Sequence, residues 1–508
     1  MIRLRAVSWL FFAAFSVPVF AQMDLNSPAT QIKLAQGSFK EYLEFLSLPS
    51  DSIVAADIQK NADYIEGAFK KRGFITKQLA NNGKPMVYAE FAKKVPGAKT
   101  LLLYMHLDSQ PVVPSEWSQK SPWTPVVKQR NGTGKWEEVS VERLYADKLD
   151  PDLRVFGRSS SDDKGPIMMV LAAFDGINAA GVTPAINIKI LLDSEEERGS
   201  PSIPAVVTAN RELLRSDAII IHDGPRHASN RPTLIFGNRG AAPATLTVFG
   251  PRAPLHSGHY GNYVPNPAMR LAQLLASMKD EQGRVLVEGY YDRVKLSADE
   301  KKILAETGDD EEAIKRRTGI AKAELVGGNY QEALQYPSLN VRGMASASIG
   351  NKASNIVPHL AIAEMDLRTT PETPPPYLFG LIEAHIRKQG YHLVKGEPTD
   401  AERASYDKLA SFSLNGGGRA VRTPLDSPLG AWAFNILKAS SPGANPVRIR
   451  MMGGSVPTDS LVEILEAPFV ILPLVNGDNN QHTYDENMRI GHYVEGVGTV
   501  LSILRTPF

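Results

Sequence analysis

His106-Leu107-Asp108, the pair Asp162-Asp163, the run Glu195-Glu196-Glu197, Asp223 and His482 are the residues of this sequence best suited to chemistry. Two imidazoles with several carboxylates can hold a divalent cation such as zinc without sulfur. The chain has no cysteine, so thiolate zinc sites, iron–sulfur clusters, disulfides and cysteine nucleophiles are excluded. A carboxylate shared by two cations holds them about 3.5–4 Å apart, the spacing of hydrolytic two-metal sites. A further carboxylate beside such a pair can take a proton from water and return it to a leaving amine. Asp108 follows His106 by two residues, so on a strand both side chains take one side and Asp108 can orient the imidazole. Singly, each residue has a plainer reading. Asp162-Asp163 precedes Lys164-Gly165-Pro166 and an apolar run, the pattern of an acidic helix cap. Glu195-Glu196-Glu197 fits a solvated charge run, Asp223 before Gly224 a turn, and a lone strand-end histidine a satisfied polar residue. Their shared placement argues for a site.

That placement comes from buried strands. Thr100 to Met105 is a continuous apolar run bounded by turn residues, the pattern of a strand covered on both faces in a parallel sheet. It runs into His106. Ile186 to Leu192 leads to the glutamate run, and Ala218 to Ile221 leads to His222-Asp223. Ligands of open α/β sheets gather at the carboxyl ends of strands. Apolar spacing predicts helices over 32–46, 53–71, 165–181 and 203–214, and 110–156 suits loops and a hairpin. After Gly237 the pattern turns to half-exposed strands at 244–250, 338–344 and 361–369, with helices at 267–279 and 375–389. A charged helical insertion covers 297–319, and buried elements return from about Ser427. The expected fold is an α/β catalytic domain in two parts, 22–237 and 421–508, with a smaller α+β lid over 238–420 inserted between them.

The 508 residues exceed one compact core, and 43% apolar with 22% charged content is that of a soluble globular protein. A net charge of +1 supplies no field for nucleic acid. Met1 to Arg5 is short and basic, Ala6 to Phe20 is apolar, and Val19-Phe20-Ala21 fits a cleavage rule. Residues 1–21 thus read as a signal peptide, with a secreted or periplasmic mature protein. No later stretch is apolar enough to span a membrane.

The ordered set His106-x-Asp108, Ser161-Asp162-Asp163-Lys164-Gly165-Pro166, Glu196-Glu197-Arg198-Gly199-Ser200, Asp223 and His482 resembles the di-zinc metallopeptidase family of carnosinase, cytosolic non-specific dipeptidase and glutamate carboxypeptidase. Leu255-His256-Ser257-Gly258, Tyr336-Pro337-Ser338-Leu339, Asn355-Ile356-Val357-Pro358, Arg368 and Gly453-Gly454-Ser455-Val456-Pro457 resemble its dipeptidase branch. The resemblance implies a mixed-sheet zinc-peptidase domain with helices on both faces, a ferredoxin-like lid that also dimerises, and two zinc ions per chain. It puts one zinc on His106 and Asp223, the other on Glu197 and His482, and Asp162 between them. Glu196 becomes the base and Asp108 the orienting acid. His256 becomes a lid residue that reaches the partner's site, Arg368 and Gly453 to Ser455 carboxylate holders, and Asn355 a substrate contact. The chain departs from the family at Met105, where a glycine is usual, at Asp485, where an asparagine is usual, and at the bulkier Ser159-Ser160-Ser161.

Three functions stay open on the sequence. The first is hydrolysis of dipeptides or short peptides by a metal-activated water. The second is an amidohydrolase acting on N-acyl or N-carbamoyl amino acids. The third is a periplasmic binding protein without catalysis. Manganese or cobalt could replace zinc on these ligands, and the resemblance implies a homodimer.

Overall fold

The computed structural model describes residues 23–324, 326–454 and 459–508. The leader expected over 1–21 lies outside the described residues. An eight-stranded mixed sheet runs Phe74–Leu79, Met86–Phe91, Asn187–Asp193, Thr100–His106, Ala218–Ile221, Phe469–Ile471, Thr233–Ile235, Val447–Ile449. Its middle four strands are parallel. Thr100–His106 lies among them, and its side chains divide between two cores. Leu101, Leu103 and Met105 enter one, Leu102 and Tyr104 the other, all fully buried. This double burial is why the run shows no polar alternation.

Helices cover both faces. On one side Pro28–Leu46, Ala55–Lys71, Lys164–Ala179, Pro428–Ser440 and Ile490–Arg505 share a core; on the other lie Ile203–Ala209 and Asp459–Leu465. The helix Lys164–Ala179 is buried nearly all round, with Phe174 against Phe74 and Phe91 at ring-centroid distances of 4.6 and 4.8 Å. Each such apolar side chain contributes about 1.5–3 kcal/mol of burial. The helix that starts behind the Asp162-Asp163 pair is therefore a rigid mount for it.

The single helix expected over 203–214 is instead two, Ile203–Ala209 and Arg211–Leu214. Asn210 breaks it, its side-chain amide donating to the Val206 carbonyl at 2.9 Å. The hairpin expected within 110–156 forms from Val126–Arg130 and Trp136–Val139. It belongs to a four-stranded antiparallel sheet with Arg154–Phe156 and Asn487–Arg489, which ties the C-terminal segment to the approach of Asp162.

A second sheet has its own core and the order Ser338–Ala345, Leu360–Thr369, Gly240–Phe249, Leu409–Leu414, His392–Leu393. Helices Pro267–Ala276 and Pro375–Lys388 pack on it. The chain enters and leaves this unit side by side, as the paired strands Gly237–Asn238 and Val421–Arg422. A Cβ at Gly237 would collide with the Val421 carbonyl, so the close pairing needs glycine there. Among the described residues no helix is long and apolar enough to cross a membrane.

Candidate active site

His106 ends its strand, and its ring is fixed from both sides. Nδ1 lies 3.1 Å from the Asp108 carbonyl and 3.4 Å from its carboxylate. Nε2 lies 2.8 Å from Asp162 Oδ1 and 4.0 Å from Asp223 Oδ1. The Asp108 carboxylate also accepts the backbone N–H groups of Glu196 and Glu197, at 3.1 and 3.2 Å. One acid thus clamps the imidazole and the turn that carries both glutamates.

The helix-cap reading of Asp163 does not hold. Its side chain makes no cap hydrogen bond; Oδ2 accepts the backbone N–H of His106 at 3.1 Å. The Asp162-Asp163 peptide bond is cis, and Ser159 has a positive φ of 63°. A Cβ at Gly165 would collide with the Ser160 carbonyl, so the loop folds back onto the helix start only with glycine there.

His106, Glu196 and Asp223 bring ligand atoms within 4.8 Å of one another, and Asp162, Glu197 and His482 do the same. Asp162 stands between the two groups. His482 Nε2 lies 3.0 Å from Asp162 Oδ2 and 3.1 Å from Glu197 Oε2. Asp162 is buried, with Oδ1 against the His106 ring and Oδ2 against the His482 ring. A buried carboxylate set between two imidazoles, with further carboxylates beside them, suits cations. The donor set, four carboxylates and two imidazoles, fits two divalent ions of the zinc, manganese or cobalt kind.

The protonation pattern agrees. Burial raises Glu196 well above the ordinary carboxylate range, helped by the neighbouring charge of Asp223. Burial raises Asp223 to about 7. Burial opposes charge on His106, but Asp108 and Asp162 outweigh it and push the imidazole well up. Hydrogen bonds to Asp162 and Glu197 push His482 up to about 11. Burial would raise Asp162, yet its contacts with His106 and His482 prevail and hold it down. Crowded carboxylates here are balanced by protons, which cations can displace.

Glu486 is the residue the sequence reading passed over. Fully buried, it accepts from the backbone N–H groups of Ser159, Ser161 and Asp162, from Ser161 Oγ and from the Arg158 guanidinium. It holds the loop of Asp162 from beneath. The only signal was its place four residues after His482. Gln110 was also missed; its Nε2 donates to Glu197 Oε2 at 2.8 Å. Asp485 has a φ of 56°, a conformation that Asn and Asp tolerate, and its Oδ1 accepts from Ser118 N and Oγ at 3.0 and 2.9 Å.

Glu196, Glu197 and His482 open into a cleft of about 530 Å³. His256, Asn355, Arg368, Gly453 and Gly454 do not line it. His256 and Asn355 are exposed and lie together, where Leu255–His256 pairs with Ile356–Val357. Arg368 is half-buried, with Nε donating to Asp366 at 3.3 Å. Gly453 faces a separate cavity of about 580 Å³ with His227, Asp309 and Tyr330. Ser455 lies outside the described residues.

A mixed α/β sheet that gathers this donor set at its strand ends defines a metal-dependent hydrolase. The model of peptidase family M20/M25/M40 matches residues 102–506, and the chain belongs to that family. The Cys-Gly metallodipeptidase dug1 of Schizosaccharomyces pombe is 25% identical over 422 residues, covering 81% of this chain and 80% of that protein. The Beta-Ala-His dipeptidase of Mus musculus is 24% identical over 420 residues, covering 81% and 77%. Among solved structures, the M20 family metallo-carboxypeptidase Sso-CP2 from Sulfolobus solfataricus matches with a TM-score of 0.70 at 27% identity, covering 92% of this chain and 98% of that one. The di-peptidase Dug1p from Saccharomyces cerevisiae shares the fold, with a TM-score of 0.67 at 21% identity, covering 95% and 98%.

Proposed function

We propose that this protein is a dipeptidase, cleaving dipeptides or short peptides at a two-metal centre. The observation that carries the reading is Asp162, whose two carboxylate oxygens lie 2.8 Å from His106 Nε2 and 3.0 Å from His482 Nε2. His106 and Asp223 would hold one ion, Glu197 and His482 the other, with Asp162 shared. Bound there, divalent ions, zinc first, supply Lewis acidity and an acidified water. Glu196, the carboxylate not needed as a ligand, takes the proton of the attacking water and delivers it to the leaving amine. It lines the cleft beside the ligand group, where it can pass that proton between the two steps. Asp108 keeps the His106 ring and the Glu196-Glu197 turn in register.

Arg368 and the turn from Gly453 to Ser455 would hold the substrate carboxylate, Arg368 by its bidentate fork. Asn355 would touch the substrate, and His256, exposed in its own chain, would reach the site of a second copy in a homodimer. In this reading the five-stranded unit is the lid that closes over the cleft and excludes water. Residues 1–21 would direct the chain to the periplasm or exterior.

The test is metal analysis of the purified protein followed by a dipeptide library run beside N-acyl and N-carbamoyl amino acids. About two ions per chain and chelator-sensitive cleavage of dipeptides are expected. Turnover confined to the N-acyl or N-carbamoyl compounds would replace the dipeptidase reading with the amidohydrolase one.

A further inference from the structure

The cleft has a second wall that the reaction above does not use, formed by Asn238, Ala241, Gly417-Gly418-Arg419 and Asp459. We propose that Asn238 and Asp459 form a subsite for a cationic group of the peptide, its terminal ammonium or a basic side chain. This rests on the dipeptidase reading and names what that site selects.

Asp459 begins the helix Asp459–Leu465 at the cleft edge. Its Oδ2 accepts the backbone N–H of Arg419 and its Oδ1 that of Ser460, each at 2.9 Å. No cationic side chain pairs with it among the described residues; the Arg419 guanidinium turns instead to Glu463, at 2.9 Å. Each carboxylate oxygen keeps a lone pair free for another donor. Asn238 is buried, its Nδ2 donates to the Arg239 carbonyl at 3.3 Å, and its Oδ1 has no hydrogen-bond partner among the described residues. A buried carbonyl left unpaired is costly unless a ligand completes it. The two free groups on this wall are therefore acceptors, one charged and one neutral.

The backbone keeps the wall bare. Gly417 has a φ of 129°, and a Cβ there would collide with the Ala241 carbonyl. A Cβ at Gly418 would sit 3.6 Å from Asp459 Oδ2 and begin to cover it. Arg419 and Ser460 also line this wall, but the guanidinium is neutralised by Glu463, so the spare acceptors select a group rich in N–H and positive charge. An ammonium offers three such hydrogens and a guanidinium five. An N-acylated terminus brings one N–H and no charge.

The experiment is steady-state kinetics of the metal-loaded wild type, Asp459→Asn and Asn238→Ala on Ala-Ala, Lys-Ala, Ala-Lys and their N-acetyl forms. Asparagine keeps the shape of Asp459 and removes its charge. Asp459→Asn should raise KM about 10–100-fold on cation-bearing substrates with kcat little changed, as loss of one charge-assisted hydrogen bond implies. A rise on every free-amino dipeptide, absent from N-acetyl-Ala-Ala, identifies the terminal ammonium. A rise confined to lysine-containing peptides, acetylated or not, identifies the basic side chain. Asn238→Ala should move KM the same way by less, and it decides the matter if Asp459→Asn fails to fold. Equal effects on all substrates, or none in either variant, would overturn the subsite while leaving the dipeptidase reading intact. A wild type that cleaves no peptide would overturn both.

Discussion

Replacing Glu486 by glutamine should loosen the loop that carries Asp162 without altering any of the six candidate metal ligands. Oε1 accepts Ser161 N at 2.9 Å, Ser161 Oγ at 3.0 Å and Asp162 N at 3.0 Å. Oε2 accepts Ser159 N at 3.0 Å and Arg158 at 2.9 Å. Glutamine retains one oxygen, so whichever way its amide turns, at least two donors face an NH2 group. In either orientation the neutral amide leaves the buried Arg158 guanidinium without its counter-charge. Removing one partner of a buried ion pair costs about 3–5 kcal/mol, and an orphaned buried N–H about 1–3 kcal/mol. The two costs share a site and do not add, so the expected loss is about 3–5 kcal/mol. Because the loop orients a shared ligand, zinc affinity should fall about 10–100-fold. Urea unfolding of the metal-free protein and calorimetric zinc titration read the two effects. Burial raises the Glu486 carboxyl, so an alkaline buffer favours the ionised form on which the comparison depends. Stability within about 0.5 kcal/mol of wild type with unchanged zinc affinity would refute the clamp.

Three more outcomes are expected. Glu196→Gln should keep about two ions per chain and lose turnover by a factor of about 10²–10⁴ or more, whereas Asp162→Ala should lose metal; near-normal rates in Glu196→Gln, measured beside elemental analysis, would remove it as base. His492 is buried beside Arg226, Arg489 and Arg154, and burial first, then those charges, lower its imidazole to about 2. The folded protein therefore keeps it neutral while the unfolded chain takes up a proton below about pH 6.5, so stability falls as pH drops, by up to about 1.4 kcal/mol per unit from this residue; His492→Gln should flatten that limb in denaturant midpoints measured from pH 7 to 5. If His256 serves the site of a second chain, mixing inactive His256→Ala and Glu196→Gln proteins should restore activity; no recovery despite proven subunit exchange would assign each site to a single chain.

Much of the fold was legible because burial leaves a plain mark. Thr100–His106, Met86–Phe91 and Ala218–Ile221 are apolar runs with few residues that fit anything but a sheet interior. Phe74–Leu79, an edge strand with four of its six residues exposed or half-exposed, lacks that mark. Leu409–Leu414 is held by pairing with Gly240–Phe249 across a long sequence separation, which local pattern does not reveal. The candidate ligands were visible because each follows a readable strand or begins a readable helix. His482 was the weakest of them on local pattern: its loop has positive φ at Asn480, His482 and Asp485 and carries no periodicity, so residue type and resemblance alone marked it. Glu486 and Gln110 act on other residues' backbones and side chains, and no residue type by itself announces that. Asp163 does stand at the start of a helix, as the pattern of the pair suggests, but its side chain serves the His106 backbone rather than the helix end, which no local pattern announces.

The clamp between Glu486 and the loop from Ser159 to Asp162 joins the chain's second hundred residues to its last two dozen. His482 and its supporting strand Asn487–Arg489 arrive with Glu486. A ribosome therefore releases Asp162 long before anything exists to brace it or to complete its group of ligands. With these candidate ligands the nascent polypeptide cannot assemble the centre until residues 482–486 have been made, so a hydrolase of peptide bonds would be synthesised without passing through a half-built, active form.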